Sequence, residues 1–183
     1  MELTNHFLLA MPTLEDPNFH RTLTYVCEHS EHGAMGLVVN RPLAITVGEV
    51  LRHLEIEPTA TELAQQPVYQ GGPVETERGF ILHAPLGRWE GTLRLSDELG
   101  VTTSRDILEA MAQGAGPEKA LVTLGYSGWG AGQLEAEVAQ NAWLTCPASS
   151  DILFEVPPEE RLVTAAARMG IDLDLLSSDA GHA

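Results

Sequence analysis

"RTLTYVCEHSEHGAMGLVVN", residues 21–40, reads as two strands joined by a short loop. In the first strand Leu23, Tyr25, Cys27 and His29 alternate onto one face, and Thr22, Thr24, Val26 and Glu28 take the other. A period of two is the mark of a strand. "SEHGA" has the length and composition of a hairpin loop. "MGLVVN" (35–40) is apolar on both faces, as a buried central strand is.

Working outward, "HFLLAM" (6–11), "VYQ" (68–70), "GFILH" (79–83), "TLRLS" (92–96), "KALVTLGYS" (119–127) and "WLTC" (143–146) read as further strands between Gly, Pro and Asn turns. Thr46 and Glu49 form a capping-box pattern ahead of Val47, Val50, Leu51 and Leu54 at helical spacing. A second helix is expected near Thr103, with Asp106 in its first turn, an apolar stripe of Ile107, Leu108 and Met111, and Gly114 as its stop. "GQLEAEVAQ" (132–140) reads as a third helix. The last begins at Pro158, with Leu162, Ala166 and Met169 inward and Gly170 at its end. "EPTATELAQQP" is a connection with room for one helical turn. The regular strand–helix alternation of a doubly wound fold is absent. The expectation is one α+β domain over residues 1–176, with a mixed or antiparallel sheet of about six to eight strands and about four or five helices. Residues 177–183 are expected to form a mobile C-terminal tail.

The charge balance limits function. Ten Lys and Arg stand against 26 Asp and Glu, a formal net charge of -16. Nucleic-acid binding needs clustered cations to displace counterions from phosphates, so no direct nucleic-acid partner is expected. The two cysteines, Cys27 and Cys146, lack CxxC spacing and fit a reducing compartment. The start of the chain has no basic segment, and no apolar run approaches 18 residues, so a cytoplasmic protein without a membrane span is expected.

"GYSGWGAGQLEAEVAQ" (125–140) invites a catalytic reading. A nucleophile elbow needs glycine two residues before and two after its serine. Gly125 meets the first requirement for Ser127, but Trp129 occupies the second, and the only later histidine is His182. An anion cradle built from Ser127, Gly128, Trp129 and Gly130 ahead of a helix is the better functional reading. It lacks the phosphate-loop Lys and the dinucleotide-binding glycine spacing. The simpler alternative is a tight corner that packs Trp129.

Other candidates are fewer. Cys27, His29 and His32 give C-x-H-x-x-H, which matches no strong zinc pattern. No metal and no cofactor are expected. As a thiol–imidazole pair these residues would suit a nucleophile or redox sensor, whereas the plain reading makes Cys27 a small buried hydrophobe. Asn40 and Arg41 end a buried strand, and Arg41 could clamp an anion or enter a salt bridge. Gly71 and Gly72 mark a turn. If strand ends cluster, the loops at 40–42, 71–73 and 125–132 would line one pocket.

"GYSGWGAGQLEAEVAQNAWL" closely resembles the signature of the YqgE/AlgH family of bacterial proteins, and "NHFLLAMPTLEDPNFHRTLTYVCEHSEHGAMGLVVNRP", "YQGGPV" and "LSSDAGHA" agree in the same order. The resemblance covers nearly the whole chain. It implies an α+β cytosolic protein of poorly defined activity, with a small residue, not necessarily serine, at position 127. It also implies a link to alginate regulation and, for some relatives, the description of transcriptional regulator, which this charge does not suit. The expected function is a non-catalytic regulatory or binding protein acting through a protein partner or a small ligand at the glycine-rich corner. The alternatives are a thiol-dependent enzyme or redox sensor at Cys27, and a direct DNA-binding regulator.

Overall fold

The computed structural model describes residues 1–176; the expected tail, 177–183, lies outside the described residues. The 21–40 stretch forms a hairpin as anticipated, but its loop is only Glu31 and His32, since Ser30, Gly33 and Ala34 of the expected loop are paired in the strands. β2 (Leu23–Ser30) and β3 (Gly33–Val38) pair antiparallel, with Tyr25 opposite Leu37 and Ser30 opposite Gly33. β1 (His6–Ala10) adds to β2, and β10 (Trp143–Pro147) adds to β1.

The organising strand is β9 (Lys119–Gly130). Its first half pairs with β6 (Val74–Ala84) on one side and with β5 (Pro67–Gln70) on the other. Its second half pairs with β3. β8 (Gly100–Thr102) and β7 (Thr92–Arg94) extend the sheet beyond β6, and β4 (Pro42–Thr46) pairs with β5. The ten-stranded sheet is antiparallel except for the parallel β5–β9 pair. The fold is α+β.

Alternating strand residues feed cores on both faces. Phe7, Leu9, Tyr25, Leu37, Phe80 and Leu82 lie in one core, covered by α5 (Ser150–Phe154) and α6 (Pro158–Arg168) through Ile152, Leu153, Leu162 and Ala166. On the reverse side Ile81 and Val122 pack with Val47 and Leu51 of α1 (Val47–His53) and with Ile107 and Met111 of α3 (Arg105–Ala112). Leu8, Val26, Trp129 and Trp143 pack with Leu134 of α4 (Gln133–Ala139). Each fully buried Leu or Ile contributes about 1.5–3 kcal/mol, so a chain poor in aromatics still builds a substantial core.

Thr46 caps α1 as the pattern predicts. Its Oγ1 accepts from Glu49 N at 3.2 Å, and the Glu49 carboxylate accepts from Thr46 N at 3.4 Å. α3 begins one residue later than expected, with Ser104 at its N-cap position, where the hydroxyl donates to the Asp106 carboxylate at 2.5 Å and caps no backbone N–H of the helix. α2 (Thr61–Ala64) is the anticipated helical turn, and one more turn occupies 173–176. β4, β8 and α5 exceed the expected count, and β9 runs three residues past its expected end.

Candidate functional site

A β-bulge decides the fate of the C-x-H-x-x-H motif. The β2–β3 register shifts between Val26 and Glu28, so Cys27 has no register partner. An extra residue reverses the alternation beyond it. Glu28 then stands opposite Met35, which packs on the α5–α6 side, and His29 stands opposite Ala34, which packs on the α4 side. The expectation that Cys27 and His29 share a face is therefore corrected. Cys27 is 1% exposed within the α5–α6 core, and burial first, then nearby Glu28, pushes its thiol far above the usual range. His29 Nδ1 accepts from Leu3 N at 2.9 Å, which assigns the ring proton to Nε2; that N–H donates to Glu135 Oε1 at 2.6 Å. His29 thereby ties the start of the chain to α4. His32 is exposed in the hairpin turn, 3.6 Å from Glu31.

The three predicted loops do meet, but as a closed backbone junction. Val38 N donates to Gly71 O, Gln70 N to Arg41 O, and Gly71 N to Leu124 O. Ser127 is fully buried, and its hydroxyl donates to Gly71 O at 3.2 Å. A Cβ on Gly71 would collide with Gly125 O, and one on Gly72 with the Tyr126 carbonyl. These glycines let two backbones touch, leaving no room for a ligand between them.

Ser127, Gly128, Trp129 and Gly130 belong to β9 and pair in register with residues 33–36. Only Ala131 and Gly132 turn, and Gly132 takes φ 75°. Gly130 N donates to Gln133 Oε1 at 2.9 Å. Trp129 stacks on Phe19, and its Nε1 shares Glu137 Oε1 with Trp143 Nε1. Asn40 accepts from Leu23 N and donates to Arg21 O. Arg41 donates from Nη1 to Asn18 O and from Nη2 to His20 O, both at 2.7 Å. Its fork holds the β1–β2 connection, which is neither of the uses expected for it.

A shallow concavity of about 570 Å³ borders His29, His32 and Trp129, and a larger, more enclosed one lies elsewhere. A cleft of about 690 Å³ runs between α1 and α3 over β6 and β9. Ile45, Ile81, Val122 and Leu124 line its floor, Val50, Leu54 and Leu108 its walls. Gly79 sits on that floor opposite Leu124, and a Cβ placed on it would meet nothing within 4 Å. A second bulge shapes the rim: residues 75–78 stand against Gly125 alone between the Val74 and Gly79 pairings. This sets Thr76 and Glu77 at the mouth with Glu49, His53 and Arg105. Arg105 is already engaged, donating to Leu54 O at 2.8 Å and to Glu109 at 2.9 Å.

His83 is a further buried group that sequence reading passes over. It is fully buried; Nδ1–H donates to Pro85 O at 3.0 Å, and Nε2 accepts from Thr102 at 2.7 Å. Burial holds its pKa below the ordinary histidine range, partly offset by the Pro85 bond. This is a nucleophile–base contact in form, but both side chains are sealed from solvent.

An α+β sheet protein with a wide apolar cleft, and with Cys27 and Ser127 both buried, belongs to a class defined by shape more than by chemistry. The chain belongs to the DUF179, AlgH-like family, whose profile matches residues 7–174. A UPF0301 protein of Thioalkalivibrio sulfidiphilus is 59% identical over 180 residues, covering 98% of this chain and 96% of its own. The solution structure of AlgH from Pseudomonas aeruginosa superposes with a TM-score of 0.82 at 55% identity, covering 100% of this chain and 97% of that one. A crystal structure of a Corynebacterium diphtheriae protein, 20% identical, shares the fold with a TM-score of 0.77 over 96% of this chain and 91% of that one. No helix among the described residues is long and apolar enough to cross a membrane.

Proposed function

We propose that this protein is a non-catalytic binding protein, and that its ligand occupies the α1–α3 cleft and not the glycine-rich corner. One observation carries the reading: the cleft keeps an apolar floor open to solvent, with a glycine in mid-strand where a side chain would fill it. Glycine inside a strand weakens it and often marks a bulge or the close approach of a ligand or another backbone; the bulge here lies at residues 75–78, and the space at Gly79 itself is open. Ligand sites are typically concave, mostly apolar and about 300–1,000 Å³ in volume. The corner instead spends its polar groups on the chain itself. A regulatory role, which the resemblance noted in the sequence implies, would follow from occupancy of the cleft, with no contact to DNA required of so acidic a chain. Thiol catalysis lacks support because Cys27 is buried and apart from His29.

The test is native mass spectrometry of protein purified from its own host, beside Gly79→Leu purified the same way. The reading predicts a non-covalent added mass on the wild type that the variant lacks. An added mass retained by Gly79→Leu would place the ligand elsewhere.

A further inference from the structure

Resting on the cleft as the binding site, we infer that its occupant is a cationic amphiphile: an apolar body of small-molecule size carrying an ammonium-type head. The floor and walls set the first half. Ile45, Val50, Leu54, Ile81, Leu108, Val122 and Leu124 present hydrocarbon, and a volume of about 690 Å³ suits a small molecule.

The rim sets the second half. Glu77 has no ion-pair partner among the described residues, and Glu49 accepts only the long 3.4 Å bond of its own capping box. They come from different elements, β6 and α1, and both border the same opening. The one arginine at the mouth, Arg105, has its guanidinium committed to Glu109 and to the Leu54 carbonyl. An anionic head would meet two carboxylates, with Arg105 already held by Glu109 and His53 the one other basic side chain at the mouth among the described residues. A cationic head would meet two carboxylates that lack a cationic partner among the described residues. The net charge of -16 acts in the same direction, drawing cations toward the surface and repelling anions.

Octylammonium, octanol and octanoate separate apolar from charged recognition, since they differ chiefly in the head group. At about pH 8 the amine is protonated, as a lysine side chain is. Each is titrated into the methyl-labelled full chain at low salt, below its aggregation concentration, with shifts followed by NMR. The expected order is ammonium tightest, alcohol intermediate, carboxylate weakest, with shifts at Ile45, Ile81 and Val122. The ammonium should bind roughly 3–10-fold tighter than the alcohol, a gap that shrinks as salt screens it. Glu77→Gln should narrow the gap, and Gly79→Leu should abolish binding of all three. Equal affinities for alcohol and ammonium, or preference for the carboxylate, would overturn the head-group inference and leave the cleft as the site. Absence of any shift at the cleft with all three probes would overturn both.

Discussion

Gly79 of β6 and Leu124 of β9 face each other across the ladder on the floor of the α1–α3 cleft, and only Leu124 brings a side chain to it. The gap left at Gly79 makes its replacement informative. Its φ lies outside the left-handed region, and a Cβ there meets no atom within 4 Å. Glycine inside a strand costs about 0.5–1 kcal/mol against alanine. Gly79→Leu is therefore expected to match or exceed the wild type in denaturant unfolding while filling the cleft. A loss beyond about 1 kcal/mol would show that the floor is not open as described.

The glycine junction should behave in the opposite way. Gly71→Ala drives a methyl against the Gly125 carbonyl. Overpacking of this kind costs about 1–3 kcal/mol, and urea unfolding should register it. Ser127→Ala removes one hydroxyl bond to Gly71 O, so its cost should be near 1 kcal/mol, and ligand binding should persist. A Ser127→Ala protein that folds normally but no longer binds would return the site to the corner.

Cys27 gives a simple chemical readout. Burial removes both the thiolate and access to it, so native alkylation near neutral pH should leave Cys27 unmodified until the chain is unfolded. Half-buried Cys146, whose thiol burial also raises, should be labelled first. Rapid native labelling of Cys27 would favour thiol chemistry at this residue.

Stability should fall in mild acid because of His83. Its folded pKa is depressed by burial, so the unfolded chain takes up the proton first. The stabilising contribution is complete above about pH 6.5 and is lost as the pH falls toward the folded value, with a slope of at most ~1.4 kcal/mol per pH unit for this one proton. His83→Gln, which keeps a donor and an acceptor, should flatten the curve below about pH 6.5. An unchanged slope would assign the acid sensitivity to other groups.

Much of the fold was legible because period-two and helical patterns survive in the sequence. The pairing of β2 with β3, the Thr46 cap and Pro158 at the start of α6 all follow from local rules. What local rules could not supply were the bulges. The one at Cys27 turns a clean alternation into two faces, and the one before Gly79 builds the rim of a cleft from residues far apart in the chain. β4 was hidden by its leading Pro42, which an edge strand tolerates. β8 was hidden by its three-residue length. Glycine usually punctuates, so the glycine-rich signature predicts a turn, whereas Gly128 and Gly130 lie within β9 and Gly125 alone of these glycines is pressed against another backbone, at Gly72 O. The available signal for the cleft was Gly79 itself, an isolated glycine ahead of "FILH".

The most direct test of the cleft as the binding site is methyl NMR of the full chain titrated with the small-molecule extract of its host. The account predicts shifts at Ile45, Ile81, Val122 and Leu124, and their loss in Gly79→Leu. Shifts centred on Trp129 and its neighbours in β9, with the cleft methyls unmoved, would contradict it.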